Sequence, residues 1–185
     1  MTFYVHAQDR PAVADRLIAL SEAHWSYMDR FADRLVLRGP TLSADGEEHT
    51  GSVHVVDLPD RESAERFATE EPFWRAGLYE SFTATRAEVL LNRGRTPADD
   101  TPLSLVTARW SPRPRPGAFD LDGRLTFAAV LADDARRHTT GIVTVVAALP
   151  DEARKLTQPL ADHLAGASAV LTGQRWCHGG RPNRP

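Results

Sequence analysis

The first 92 residues alternate between short β-rich runs and amphipathic stretches. Residues 2–8 form the first β-rich run. In the stretch that follows, larger side chains recur every three or four residues, which is the spacing of one helical face. This face comprises Val13, Leu17, Leu20, His24, Tyr27 and Phe31.

The remaining patterns of this half predict three more strands and a second helix. Residues 34–40 form a short strand closed by the turn signal Gly39-Pro40, and residues 52–58 are rich in β-branched side chains, as strands are. Asp60 is a suitable N-cap for the second helix, and residues 78–91 form the last strand. The order β-α-β-β-α-β predicts a ferredoxin-like fold, whose helices cover one sheet face and leave the other bare.

The second half of the chain repeats the pattern of the first. Residues 33–68 and 123–158 share the same ordered series: a strand, a charged loop, "HTG" or "HTTG", a β-branched strand and "LPD". Gly51 and Gly141 stand about 90 residues apart, a period suited to a duplicated domain rather than a solenoid. Chance could repeat "LPD" alone, but the ordered series favours duplication.

The predicted domain boundaries follow from this repeat. A complete ferredoxin-like domain spans 1–92, and a polar segment rich in proline and glycine makes 93–102 a linker. A degenerate second copy spans 103–176, and 177–185 has no core-forming pattern and is expected to be a loose tail.

The second copy is expected to lack its first helix. The prolines of "SPRPRPGAFDLDG", residues 111–123, forbid a regular helix there, and its remaining helix is expected to be interrupted at Pro159. The predicted fold class is α+β: tandem ferredoxin-like domains packed sheet to sheet as an intrachain pseudo-dimer. Because the halves would cover each other, we expect a monomer or a weak homodimer.

Composition narrows the possible partners and the compartment. The net charge of −3 gives no general attraction to nucleic acid. Cys177 is the only cysteine, which excludes an intrachain disulfide and fits a reducing cytoplasm. No secretory signal and no apolar run of ~20 residues are visible. We therefore predict a cytoplasmic protein that binds neither membranes nor nucleic acid.

His24 is the main candidate for chemistry, because it interrupts the apolar face of the first helix. A histidine there is more often a core or groove residue, but near neutrality it can also serve as general acid or base. Glu70 and Glu71, which precede Pro72, could orient its ring. The alternative for both glutamates is a solvated helix end.

Other residues could line a pocket for a small-molecule ligand. Ser52 could line the same cleft or be an ordinary polar strand residue, and His54 faces either the groove between the two sheets or water. Aromatic residues near helix ends could wall the pocket or belong to the core. These aromatic residues are Trp25, Phe73, Trp74 and Tyr79.

No cofactor is predicted from the motifs. His6, His49 and His138 are scattered without the spacing of metal ligands. The sequence has no glycine-rich phosphate loop, nucleophile elbow or CxxC motif.

Residues 3–90 resemble the YciI-like (YCII-related) family. The resemblance rests on "YVHAQD", "AH", "GP", "TGS" and "EPFWRAGLYES" in this order. It implies a dimeric α/β-barrel form of the ferredoxin-like fold. It also implies a site built on a helix histidine, here His24, and on an aspartate before proline, whose position is Glu71. One enzymatic branch of the family removes chloride from a chlorinated aromatic diol, and the wider superfamily includes muconolactone isomerases and small monooxygenases.

Two departures from the family pattern leave two functions open. The family carries Arg-Pro where this chain has Ser21 and Glu22, and glutamate replaces aspartate at position 71. The first hypothesis is a cofactor-independent lyase or isomerase, in which His24 moves a proton of a small cyclic or aromatic metabolite in a cleft between the sheets. The second is a non-catalytic ligand-binding or accessory interaction module.

Overall fold

The computed structural model describes residues 1–94 and 101–181. Its first half contains four strands, three α-helices and a 3-10 turn at Ala32–Arg34. These elements are β1 (Thr2–Asp9), α1 (Ala14–Asp29), β2 (Leu35–Leu42), β3 (His49–Asp57), α2 (Arg61–Thr69), α3 (Pro72–Arg75) and β4 (Tyr79–Asn92). The second half contains β5 (Leu103–Pro114), β6 (Leu125–Ala132), β7 (His138–Ala147), α4 (Pro150–Ala165) and β8 (Leu171–Trp176).

The eight strands form one closed barrel in the order β1-β3-β2-β8-β5-β7-β6-β4. Each half supplies a four-stranded antiparallel sheet with its first and third strands in the middle, as in a ferredoxin-like domain. The halves join edge to edge where β2 pairs with β8 and β4 pairs with β6. The predicted α+β pseudo-dimer is confirmed, and closure gives each of the eight described strands a partner strand on both sides over at least part of its length.

The barrel interior is a core shared by both halves. Alternate residues of each strand point inward, so the sheet face that helices leave bare in each half is covered by the other half. The largest of these buried side chains are Tyr4, Leu105, Phe127, Leu131 and Trp176.

The outer face of the barrel is covered differently in the two halves. Helices α1, α2 and α3 lie on the N-terminal sheet, whereas α4 alone lies on the C-terminal sheet. Residues 115–124 carry no helix, in agreement with the proline-rich sequence. Trp110 and Leu121 pack instead against the apolar cluster beneath α4.

The expected interruption at Pro159 is wrong, because α4 runs without a break from Pro150 to Ala165. Pro159 is exposed, and so is Lys155, whose carbonyl loses its helical partner and can bond water instead. Buried side chains before and after the proline, Thr157 and Leu160, anchor both parts of the helix.

The tail is not loose over its described part. Strand β8 ends beside β2, and the next residues continue along that strand, where the Gly179 N–H donates to the Arg38 carbonyl at 2.9 Å. Arg181 then binds Glu22 and Asp29 on α1, at 2.5 and 3.0 Å. Residues 182–185, and 95–100 of the expected linker, lie outside the described residues.

Across the described ranges, none of the helices combines the length and apolar character needed to cross a membrane.

Candidate functional site

The cavity that His24 lines is on the helical side of the N-terminal sheet, not between the two sheets as we expected. It has a volume of about 450 Å³ and is bounded by α1, by the outer faces of β2 and β3, and by residues 177–180. The strand period explains the error: Val53 and Val55 of β3 fill the barrel, so Ser52 and His54 face the opposite side. The space between the sheets is occupied by core side chains.

His24 and Glu71 form a close pair beside this cavity. His24 Nδ1 lies 2.5 Å from Glu71 Oε1, and Glu71 Oε2 accepts the backbone N–H of Trp74 at 3.0 Å as the N-cap of α3. The Glu71 side chain is 4% exposed and that of His24 is 14% exposed. Since a carboxylate only accepts, Nδ1 carries the proton, and Nε2 is the ring nitrogen left for a ligand.

The pair is formed with glutamate in the position where the family pattern has aspartate. The capping hydrogen bond holds the longer side chain in place, so the additional methylene does not separate the carboxylate from the imidazole. Glu70 ends α2 and is not the partner of His24. The structure therefore selects Glu71 from the two glutamates that the sequence left open.

Aromatic packing fixes the orientation of the His24 ring. The ring stacks on Phe73 with centroids 4.4 Å apart and planes 1° apart. Trp25 also lines the cavity. A flat ligand ring would meet stacking surfaces of this kind.

Ser52 is held at the cavity wall by Tyr79. The Tyr79 hydroxyl donates to Ser52 Oγ at 2.8 Å. Burial, together with the nearby charge of Glu71, raises the pKa of Tyr79 well above its usual value. Tyr79 therefore stays a neutral donor behind the wall instead of contacting a ligand itself.

His54 lies beneath His24 and is buried, so it faces neither the barrel interior nor water. Its ring centroid is 6.1 Å from that of His24 and 5.4 Å from that of Phe67. Burial lowers the pKa of His54 well below its ordinary value, and the charges of His24 and Arg38 lower it further. His54 is thus a neutral imidazole at physiological pH.

Trp74 does not line the cavity. Its ring packs edge to face against Phe82 at 5.0 Å, and its contribution to the site is the backbone N–H that holds Glu71. Of the residues predicted from the sequence, His24, Ser52, His54, Trp25 and Phe73 line the cavity. Glu71 and Tyr79 support them from behind.

Sequence reasoning missed a second carboxylate–histidine pair at the same cavity. His49 Nδ1 lies 2.6 Å from Asp9 Oδ2, and the Asp9 side chain is only 5% exposed. His49 lines the cavity and is 27% exposed. A search for metal-ligand spacing could not find this pair, because its members are 40 residues apart and meet only through the pairing of β1 with β3.

Arg38 was also missed, although the strand period contains a signal for it. Residues Arg38 and Pro40 of β2 point to the cavity side, whereas Leu37 points into the barrel. Arg38 is paired with His54 in the register of β2 and β3. Within residues 1–94 and 101–181, no three His, Cys, Asp or Glu side chains are grouped as a metal site requires.

Fold and site together define the class: an α/β barrel built from two ferredoxin-like halves in one chain, with a histidine–carboxylate pair in the N-terminal half. The family model of the YCII-related domain matches residues 1–88, so the N-terminal half of the chain is similar to that family.

Curated relatives match this half of the chain. Protein YciI of Escherichia coli O6:H1 is 26% identical over 87 residues, which cover 43% of this chain and 89% of that protein. An uncharacterised protein of Haemophilus influenzae is 27% identical over 86 residues, which cover 43% of this chain and 88% of the relative.

Solved structures resemble either one half or the whole barrel. The 5-chloro-2-hydroxyhydroquinone dehydrochlorinase of Burkholderia phenoliruptrix AC1100, in complex with 2,5-dihydroxybenzoquinone, is 28% identical and covers 46% of this chain and 92% of its own, with a TM-score of 0.44. A proposed monooxygenase of Lactobacillus acidophilus NCFM is 9% identical and covers 95% of this chain and 92% of its own, with a TM-score of 0.53. The latter similarity concerns the fold alone.

Proposed function

We propose that this protein is a cofactor-independent lyase or isomerase that acts on a small cyclic or aromatic metabolite, with His24 as general acid and base. The observation that carries this proposal is the buried Glu71 carboxylate 2.5 Å from His24 Nδ1, at the edge of an open cavity. A histidine with one nitrogen held by a carboxylate has a defined tautomer and presents the other nitrogen to a substrate.

In this chemistry the His24–Glu71 pair transfers a proton. His24 Nε2 takes a proton from a carbon or hydroxyl of the substrate, and the released electron pair moves into the ring or an adjacent carbonyl. In an isomerase the same proton returns to a different atom. In a lyase the electron pair expels a leaving group, and the imidazolium returns its proton to that group or to water. Glu71 stabilises the imidazolium that forms between the two steps.

The cavity suits a ligand of one ring. Its volume of about 450 Å³ lies within the usual range of small-molecule sites. Phe73 and Trp25 offer aromatic surfaces, and Ser52 and the neutral His54 offer hydrogen bonds without adding charge.

The test begins with a thermal-shift screen of small carboxylic and phenolic metabolites, because a specific ligand raises the apparent stability by mass action. Each hit is then incubated with the protein in D₂O and followed by NMR for product or for deuterium at carbon. His24→Gln should lower the rate by about 10²- to 10⁴-fold while the hit still binds. The control is His163→Gln, at a half-buried histidine on α4 whose Nε2 lies 3.1 Å from the Gly117 carbonyl and which does not line the cavity.

Hits that bind tightly but return unchanged and undeuterated would contradict the enzymatic proposal. That outcome would favour the second candidate, a non-catalytic ligand-binding module.

A further inference from the structure

We propose that Arg38 makes one end of the cavity an anion-binding subsite, and that the ligand is a single ring carrying one carboxylate. The inference rests on the proposed function only in taking the same cavity as the ligand site. It adds a substrate class and a residue that sequence motifs did not indicate.

Arg38 stands at the His24 end of the cavity. It pairs with His54 across β2 and β3, and the His54 ring lies 6.1 Å from the His24 ring. The guanidinium charge also contributes to the lowered pKa of His54. An anion at Arg38 would therefore lie close to the nitrogen that moves the proton.

The guanidinium has hydrogen-bonding capacity that the described residues do not use. Arg38 Nη1 is buried and has no hydrogen-bond partner among them. The nearest carboxylate oxygen, Asp29 Oδ1, is 3.7 Å from Nη1, while Asp29 Oδ2 accepts from Arg181 at 3.0 Å. A buried donor without an acceptor is unfavourable, so the described residues leave the guanidinium under-satisfied. The Arg38 side chain is 29% exposed, so a ligand carboxylate can meet the guanidinium where it lines the cavity and gain a charge-assisted hydrogen bond.

The opposite end of the cavity carries negative charge, in contrast to the positive charge of Arg38. His49, held by Asp9, lies five residues before His54 on β3, which corresponds to about 16 Å along an extended strand. The exposed carboxylates Glu47 and Glu48 line the cavity beside His49. This polarity directs an anionic group towards Arg38 and directs an uncharged or hydroxylated end towards His49.

The acidic groups also limit the ligand to one negative charge. Glu47, Glu48 and the carboxylate of Glu71 would repel a dianion such as a phosphate monoester, whereas the planar fork of arginine matches a single carboxylate. The aromatic rings of Phe73 and Trp25 account for the ring of the ligand.

The experiment compares benzoate with benzamide, which has nearly the same shape and no charge. Isothermal titration measures both dissociation constants for the unaltered protein, for Arg38→Met and for the control Arg34→Met. Arg34 is exposed and its guanidinium lies over the Phe31 ring, outside the cavity, so the control removes the same charge from the surface.

Benzoate should bind at least about tenfold more tightly than benzamide to the unaltered protein and to Arg34→Met. In Arg38→Met this ratio should fall to about one, with benzamide affinity changed by no more than about twofold. Equal binding of the two probes to the unaltered protein, a preference that survives in Arg38→Met, or no binding of either probe would each overturn the inference.

These outcomes separate the anion subsite from the proposed reaction. A protein that prefers benzoate but turns over no hit of the metabolite screen has the subsite without the activity. A protein that turns over neutral rings but shows no benzoate preference has the activity without the subsite.

Discussion

The two halves of the barrel share a strand arrangement but differ at equivalent positions on their outer faces. With Gly51 matched to Gly141, Ser52 and His54 correspond to Ile142 and Thr144. Ile142 belongs to the apolar cluster beneath α4, and Thr144 bonds Thr157 of α4 at 3.0 Å. The C-terminal half thus uses for packing the positions at which the N-terminal half lines a cavity.

The helical cover explains this difference. Helix α4 follows the second "LPD", as α2 follows the first, and it packs directly against β5, β7 and β8. The C-terminal half has no counterpart of α1 in residues 115–124. Since α1 forms one wall of the cavity and carries His24, the site lies in the half that retained this helix.

The repeated histidines show how one motif acquires two roles. His49 and His138 both begin the third strand of their half, yet His49 binds Asp9 across the sheet and lines the cavity. His138 instead binds Asp133, five residues earlier in its own turn, at 2.9 Å. The additional threonine of "HTTG" places His138 three residues before the matched glycine, whereas His49 lies two residues before it, so the two histidines are not at equivalent strand positions.

The largest effect that we predict is a loss of stability when a side chain is added at the matched glycines of the two halves. A Cβ at Gly51 would lie 2.3 Å from the Ala7 carbonyl oxygen, and one at Gly141 would lie 2.4 Å from that of Ala108. Gly51→Ala and Gly141→Ala should each lower the free energy of unfolding in urea by about 3 kcal/mol or more. Gly117→Ala meets no atom within 4 Å and should stay within about 0.5 kcal/mol. A large loss of stability in one half alone would show that the two halves do not share the same close strand contact at this glycine.

The next largest effect should be the loss of stability on removing the Glu71 carboxylate of the N-terminal half. Glu71→Ala removes the N-cap of α3 and leaves the part-buried His24 Nδ1–H without its acceptor. We expect a loss of about 2 kcal/mol in the free energy of unfolding. Glu70→Ala, one residue earlier, is the matched control and should cost less than about 0.5 kcal/mol. Equal effects of the two substitutions would contradict the structural role of the pair.

A smaller effect should appear in the pH dependence of stability. Burial depresses the pKa of His54 and of His6 in the folded protein. As pH falls below the unfolded pKa of about 6.5, the unfolded chain binds protons that the folded chain does not, so stability decreases at up to about 1.4 kcal/mol per pH unit for each group. His54→Thr, which copies Thr144, should reduce this slope, and the remainder should come from His6 and other groups. A slope unchanged in His54→Thr would show that His54 charges in the folded state.

The smallest effect should be that of protein concentration on the mass and the melting temperature. Because the two sheets close on each other within one chain, no second copy is needed to cover them. We therefore expect sedimentation to give the mass of one chain and the melting temperature to be independent of protein concentration. A concentration-dependent melting temperature would indicate an association that the barrel itself does not require.

Much of the fold could be predicted from local pattern. The three- and four-residue spacing placed His24 on the inward face of α1, and the alternation in residues 52–58 separated the sides of β3. The repeat around "HTG" and "LPD" predicted two similar halves. The pairing of His24 with Glu71 came from the family resemblance, since 47 residues separate them and no local rule connects them.

The location of the cavity could not be predicted in this way. A strand period shows which residues share a face, but not whether that face meets a tight helix, as Thr144 does, or an open space, as His54 does. The Asp9–His49 pair and the position of Arg38 depend on strand register and on the path of the tail after β8.

The sequence by itself determined the order of the elements, the duplicated halves and the face on which each side chain lies, because these follow from hydrophobic periods of two and 3.6 residues. Only the tertiary structure decided that the two sheets close edge to edge and that the ligand space lies under α1. It also decided that Arg38 and two histidine–carboxylate pairs surround this space. These features depend on contacts between residues far apart in the chain, and a local period carries no information about such contacts.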